Sequence, residues 1–330
     1  MDNTRRQLGF GLVAASCWLI SGASAHAQSG YPERPVRIVV GFAAGTGPDM
    51  VARLLAQRLS AQWGGVGVVV DNKPAAGGTV AAAEVARSKP DGYTLLLAAT
   101  GQLSIAPSTY SQLPYNPAKD FTPISNVAES EFVLLVNPQK VPAKNGPEFV
   151  RWGKGQKPLF MATFGAGTAG HFGAYILGDE LGVKPEVVHY RATADALGGL
   201  YNGDVQGVFA SVGLAAAQVK SQKLLALGST GSTRAHTLPD VPTFKEQGLP
   251  QLGFTTWFGI VGPAGLPGKV AQKLNADVLG ALHTAETRQK IADAGFKALG
   301  TSPEQFRLTI DADTRLWAKA VAATGFKADQ

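Results

Sequence analysis

Apolar runs alternate with amphipathic stretches along this chain. Residues 36–40 predict a buried strand, and 51–63 predict a helix because Val51, Leu55 and Leu59 recur on one face. The same pattern predicts strands at 66–70 and 93–98 and a helix at 80–86. This β-α-β-α-β order predicts a parallel sheet covered by helices on both faces.

A second cycle of apolar runs follows. It predicts strands at 132–136, 186–190, 205–210 and 224–229, and helices at 169–181 and 194–201. A strand-like run at 254–261 precedes helices at 267–283, 285–294 and 303–323. Because strand signals return near 254, the first domain is predicted to be discontinuous. The predicted division is a signal peptide at 1–27, domain 1 at 28–129, domain 2 at 130–253 and the rest of domain 1 at 254–330.

The first residues are typical of an export signal. Arg5 and Arg6 precede an apolar stretch at 8–20 that is short for a membrane span, and a small-x-small site ends at Ala27. We therefore expect cleavage after Ala27, a mature chain that begins at Gln28, and a periplasmic location. The sole cysteine, Cys17, lies in a weak lipobox inside the signal, so the mature chain has no thiol chemistry.

Composition and motifs argue against several classes of protein. The net charge is +6, but the basic residues are scattered, which disfavours a nucleic-acid surface. No two histidines have metal-ligand spacing on a helix, and no Gly-x-Ser-x-Gly elbow is present. The sequence therefore predicts no enzyme, no metal and no cofactor.

Two loops rich in small residues have the character of ligand sites. Residues 41–49 join a strand to a helix, and Thr46 and Asp49 have the spacing of a capping box. The loop 164–171 occupies the same kind of position in the second half. Free amides at a helix start bind anions, and ligands of open α/β sheets lie at the carboxyl ends of strands. A purely structural turn would have the same appearance in sequence.

The chain resembles the Bug-type solute receptors of tripartite tricarboxylate transporters over nearly its whole mature length. The resemblance is carried by motifs in the family's order, which are YPERPVR at 31–37, the loop at 41–49, DNKPAAGG at 71–78, KPDGYTL at 89–95, LPYNP with KDF at 113–121, LPDVPT at 238–243 and WFGIVGPAG at 257–265.

This resemblance implies a two-domain periplasmic binding protein fold of type II-like architecture. Each domain would be a mainly parallel sheet flanked by helices, with the ligand cleft between the domains. It implies a monomeric receptor for a small carboxylate, held through loop amides and bridging waters, that delivers to permease subunits. A sensory receptor that signals to a kinase is the alternative, and the sequence does not separate the two.

The resemblance also implies where the ligand contacts lie. They fall in five places, and the residues concerned are Phe42, Ala44, Gly45, Thr46 and Asp49; Thr100, Gly101 and Gln102; Phe164, Gly165, Ala166, Gly167 and Thr168; Tyr190 and Arg191; and Ser211.

Some of these side chains have a second interpretation. Arg191 pairs with a ligand carboxylate or is a surface arginine, and Tyr190 binds the ligand or packs. His189 contacts the ligand or ends a strand. His171 is more typical of a helix start or a core than of a general base. Trp257 and Phe258 fit either a buried strand or a pocket wall.

Two departures from the family pattern bear on the ligand. Phe164 stands where a small hydroxyl residue is usual, and Ala210 stands where a polar residue is common. Both changes make the expected cleft more apolar, which favours a ligand with a hydrophobic body. We therefore expect an aromatic carboxylate such as terephthalate to bind better than malate or citrate, unless Phe164 points into the domain core.

Overall fold

The structure is a computed structural model, and it describes residues 30–190 and 192–328. The elements below all belong to the compact unit Arg34–Gln330. The predicted signal peptide, the start at Gln28 and Arg191 lie outside the described residues.

The first parallel sheet has the predicted order of strands and helices, and two of its strands begin one and two residues later than predicted. Its strands are β1 (Val36–Val40), β2 (Val68–Asn72) and β3 (Thr94–Ala99), with β1 in the centre. The crossover helices are α1 (Gly47–Gln62) and α2 (Thr79–Ala86). Helix α1 begins before the predicted residue 51, because Pro48 in its first turn already has the backbone geometry of a helix.

A second parallel set lies further along the chain. It consists of β5 (Phe160–Thr163), β6 (Glu186–His189) and β7 (Gly207–Ser211), with β5 between the other two. Its crossover helices are α5 (Ala169–Leu181) and α6 (Thr193–Asn202). In both sets the loops at the carboxyl ends of the strands lead into helices, which is the arrangement that suits a ligand site.

Two antiparallel strands extend the first set, and one of them continues into the second. Strand β9 (Thr255–Pro263) pairs with β3 and with β4 (Phe121–Val136) as far as Glu131. From Phe132 onward β4 pairs instead with β7 and β8 (Leu225–Ser229). One strand therefore passes from the first sheet to the second.

The prediction of a strand limited to 132–136 was wrong, because β4 begins at Phe121. Its first half carries Pro123, Ser125, Asn126 and Glu129, and its pairing with β9 shifts register at two points. Polar residues and irregular pairing interrupt the period-2 pattern by which a strand is recognised.

Further elements complete the fold. They are α3 (Ala106–Thr109), α4 (Gly146–Gly153), α7 (Val212–Lys220), α8 (Gly268–His283), α9 (Ala285–Asp293), α10 (Pro303–Thr324), β10 (Lys297–Ala298), a π-helical turn at Gly101–Ile105 and short 3-10 turns at Ala76–Gly78 and Pro250–Leu252. The three C-terminal helices were predicted, whereas α3, α4 and α7 were not. Within 30–190 and 192–328, no helix has the length and apolar character needed to cross a membrane.

Helix α10 contributes to the cores of both sheets. Phe306 packs edge to face on Trp257 with ring centroids 5.0 Å apart. Eleven residues later, Trp317 packs on Phe172 and Phe254. Each fully buried aromatic side chain stabilises the fold by roughly 1.5–3 kcal/mol, so this helix ties the two regions together. The domain boundaries at 129/130 and 253/254 remain a prediction.

Candidate functional site

The first loop, 41–49, leaves the end of β1 and enters α1. Ala43, Ala44 and Gly45 are exposed, and Gly45 has a positive φ of 81°. The predicted capping box does not form. The Thr46 hydroxyl donates to the Ala43 carbonyl at 2.7 Å, and Asp49 accepts from the amide of Gly45 rather than from that of Thr46. The left-handed turn at Gly45 brings its own amide to the carboxylate, which explains the difference.

Asp49 fixes this loop from inside. Its side chain is only 2% exposed, and it accepts from Gly45 N, from Arg53 Nε and from Asn72 Nδ2, each at 2.9 Å. Burial raises the pKa of Asp49, but the hydrogen bonds from Arg53, Gly45 and Asn72 hold it below its ordinary value. The carboxylate is therefore ionised and committed to protein donors.

Asn72 is a positioning residue that the sequence analysis missed. Its Nδ2 donates both to Asp49 and to the Phe42 carbonyl at 3.0 Å, and its Oδ1 accepts from Arg53 at 3.0 Å. In the register of the sheet Asn72 lies beside Val40, where the loop begins. A polar residue at the carboxyl edge of a strand was the available signal.

Aromatic rings support the same loop. Phe42 packs edge to face on Phe258 with centroids 5.8 Å apart, and Phe258 packs on Phe296 at 5.4 Å. The Phe296 ring lies so close to Gly47 that a Cβ there would clash. Phe258 is 8% exposed and Trp257 only 1%, which agrees with their interpretation as residues of a buried strand.

The loop at 100–102 packs against the first one. Gln102 is buried, accepts from Ala99 N and donates to Gly78 O, both at 2.8 Å, while Thr100 accepts from Trp257 N at 2.8 Å. Gly41 lies against Gln102 and Gly78 with no space for a side chain. The side chains of Thr100 and Gln102 are therefore occupied by hydrogen bonds within the protein, and Gly101 is the exposed residue of this loop.

The second loop, 164–168, links β5 to α5. Thr168 caps the helix by accepting from His171 N at 3.3 Å, and its hydroxyl donates to Gly165 O at 2.9 Å. His171 Nδ1 accepts from Gly167 N at 3.1 Å. Ala166 and Thr168 are exposed. This loop, like the first, is held from inside by a buried polar side chain.

His171 is held in its neutral form. Burial, with a smaller effect from the neighbouring His189, lowers the pKa of its imidazole to about 4, and the two ring centroids are 4.6 Å apart. A neutral ring leaves Nδ1 free to accept, as the Gly167 bond requires. His171 thus has the place of a helix-start histidine, while the side chain of His189 is exposed.

The remaining expected positions surround the second loop. Phe164 is half-buried and packs on the hydrophobic cluster that contains Leu200 and Ala210. Tyr190 donates its amide to Thr163 O at 3.0 Å, and its hydroxyl lies against Gly199. Ser211 is exposed at the end of β7.

The described site positions therefore form two groups. The first is 42–49 with 100–102, and the second is 164–168 with 190 and 211. In the part of the chain that the structure describes, no cluster of His, Cys, Asp or Glu has the arrangement of a metal site. Among these described positions, the exposed residues are Ala43, Ala44, Gly45 and Gly101 in the first group and Ala166, Thr168 and Ser211 in the second, so both groups offer backbone amides and small side chains and no exposed charged side chain.

Comparisons with known proteins agree on the kind of molecule. A family model described as the tripartite tricarboxylate transporter family receptor matches residues 51–325. The protein BugT of Bordetella pertussis is 29% identical, with 99% of each chain covered.

Solved structures are also similar. MatC from Rhodopseudomonas palustris with bound malate is 32% identical, covers 88% of this chain and 100% of its own, and has a TM-score of 0.69. An R. palustris protein described with adipate is 28% identical, covers 90% and 99%, and has a TM-score of 0.71. These similarities show a mixed α/β periplasmic binding protein fold.

Proposed function

The chain belongs to the family of tripartite tricarboxylate transporter receptors, and on this premise we propose that it binds a small carboxylate between its two groups of loops. Family membership makes it a solute-binding receptor of the Bug type. The proposal adds a ligand class and a place of binding.

One observation carries the proposal. Each group contains a partly exposed loop rich in small residues at the carboxyl end of a parallel strand, leading into a helix and fixed from inside by Asp49 or His171. Helix-start amides at such loops are suited to anions, and one group of loops for each end suits a molecule with two carboxylates. Loops that are already ordered lose less conformational entropy when a ligand binds.

The ligand that we place first is an aliphatic dicarboxylate such as malate or adipate. The two R. palustris structures hold these compounds. The aromatic candidate, terephthalate, depends on Phe164, whose half-buried ring leaves part of its surface for a ligand. Ala210 gives it no support, because this side chain is fully buried within the second sheet.

The proposed biological setting is drawn from the family. We propose that the chain is exported, is cleaved after Ala27, acts in the periplasm as a monomer and hands its ligand to permease subunits. A sensory receptor would use the same binding step and would differ only in the partner of the closed form.

A calorimetric titration tests the ligand class. Purified mature protein is titrated with malate, adipate, terephthalate and citrate, and with glucose as an uncharged control. We expect saturable binding of at least one dicarboxylate and none of glucose. Failure of all four acids to bind would overturn the proposal, and terephthalate binding tighter than malate and adipate would reverse the order of candidates.

A further inference from the structure

The described residues after helix α10 form a short tail, 325–328, that is held by hydrogen bonds and ring contacts. Gly325 ends the helix with a φ of 68°, and the amide of Phe326 donates to Thr324 Oγ1 at 2.8 Å. The tail lies beyond the stretch 51–325 that the family model matches, except for Gly325. None of the sequence motifs assigns it a role.

One side of the tail packs on the second ligand loop. The Phe326 ring meets His171 edge to face at 5.5 Å and Phe172 at 6.0 Å. A Cβ on Gly167 would lie 3.1 Å from Phe326 Cε1, so the ring lies directly against this glycine. Gly167 also donates its amide to His171. Phe326, His171 and Gly167 therefore pack together as one cluster.

The other side of the tail is bound near the 100–102 loop. Ala328 N donates to Thr109 O at 2.7 Å, and Lys327 Nζ donates to Ser108 O at 3.3 Å. Both acceptors belong to α3, which continues directly from the π-helical turn that begins at Gly101. The tail thus joins the two groups of ligand-site positions.

We infer that the tail positions the second ligand loop, with Phe326 as the positioning residue. The loop has two glycines at positive φ, Gly165 and Gly167, with the exposed Ala166 between them, so its backbone has more conformational freedom to lose and depends on such contacts for its order. The ring of Phe326 and the Nδ1 of His171 hold Gly167 from two directions. An ordered loop binds more tightly because less conformational entropy is lost with the ligand.

The simpler interpretation is that Phe326 only covers the hydrophobic core around Phe172. In that case its removal would lower overall stability without a specific effect on the loop. The two interpretations differ in what happens to the amides of 165–168 in the ligand-free protein.

Hydrogen–deuterium exchange separates them. In Phe326→Ala the amides of 165–168 are expected to exchange about tenfold faster than in the parent protein, while Phe326→Tyr, which keeps the ring, restores protection. The control is Phe160→Ala, which removes a half-buried phenylalanine at the opposite end of the same strand, β5. Unchanged exchange in Phe326→Ala, or an equal rise in the control, would overturn the inference. Should Phe326→Ala not fold, Phe326→Leu is measured in its place.

The effect on affinity depends on the proposed function. With malate or adipate as the probe, Phe326→Ala is expected to bind about tenfold more weakly, which corresponds to about 1.4 kcal/mol, and Phe326→Tyr within about twofold of the parent. If Phe326→Ala exchanged its loop amides faster but bound the ligand with unchanged affinity, the tail would order the loop without contributing to ligand binding. A parent protein that binds no carboxylate would instead contradict the proposed function, while the exchange measurement would still decide the role of the tail in ordering the loop.

Discussion

At the residue scale, the site is organised by polar side chains that face away from the expected ligand. Asp49 and His171 are buried, each binds a loop amide, and neither is exposed enough to be the main contact of an anion. Asp49 would repel a ligand carboxylate at short range, since both groups are negatively charged. Affinity is therefore expected to respond to these residues through the order of the loops.

Asn72 gives the sharpest test of this view. In Asn72→Ala, Asp49 loses one donor and the Phe42 carbonyl loses its partner, which is expected to cost about 1–3 kcal/mol of stability and to weaken carboxylate binding. Calorimetry and chemical denaturation measure the two effects. The matched control is Asn116→Ala, an exposed asparagine that bonds only within its own turn among the described residues. Equal affinities of Asn72→Ala and the parent would contradict a role for Asn72 in the site.

The pH dependence of stability tests His171. Its pKa in the folded protein is lowered to about 4 from an ordinary value of about 6.5. The unfolded chain therefore binds more protons in this interval, and the contribution of the neutral ring, complete above pH 6.5, is lost as the pH falls towards 4. We expect the unfolding free energy of His171→Gln to vary less between pH 6.5 and pH 4 than that of the parent. Parallel curves for the two proteins would count against the buried neutral form.

At the element scale, strongly periodic elements could be predicted from local sequence, whereas irregular ones and the short helices α3, α4 and α7 could not. Strand β1 and helix α5 match their predicted bounds, because apolar periodicity and the Thr168 cap are local signals. The first half of β4 depends on the register between distant strands, which no local pattern contains. The position of Asn72 at the end of a strand was a local signal, but its partners in the first loop depend on the register of β2 with β1. The loops at 41–49 and 164–168 were identified from their small residues, whereas the contact of Phe326 with Gly167 spans 159 positions and left no signal.

Strand β4 contains a second titrating group, where it passes between the sheets. Burial, with a smaller effect from Glu129, raises the pKa of Glu131 to about 7, and its carboxylate lies against Gly231. Because the folded pKa is raised, the folded state favours the protonated acid. This contribution to stability is complete below pH 4.5 and is lost as the pH rises through 7.

Replacement of the Glu131 carboxyl by an amide is expected to remove the loss of stability that ionisation of this buried group causes at high pH. Glu131→Gln should gain on the order of 1 kcal/mol relative to the parent between pH 5 and pH 8, a value discounted because the side chain is only half-buried. Urea unfolding at the two pH values measures it. Glu180→Gln, in which the replaced carboxyl lies in helix α5 and has a glutamine partner, serves as the control. A relative stability that does not change with pH would show that Glu131 is ionised without cost.

At the scale of the whole molecule, two sheets are linked by few elements. Strand β4 passes between the regions, and helix α10 packs into both cores before its tail reaches the second loop. Motion of one region relative to the other would therefore bend this strand and change how α10 and its tail pack. A ligand held by both groups of loops would favour the conformation in which the groups are closest.

Closure on the ligand is the prediction at this scale. A ligand that contacts both 41–49 and 164–168 stabilises the closed form by its differential affinity, so saturation with a bound dicarboxylate is expected to reduce the radius of gyration. Small-angle X-ray scattering with and without malate or adipate measures the change. Asn72→Ala, examined at a concentration of ligand that saturates the parent but not the variant, should retain the larger radius in proportion to its unbound fraction. Identical scattering of the free and saturated parent protein would mean that the ligand binds without bringing the two groups of loops together, and the site would then have to be assigned to one group alone.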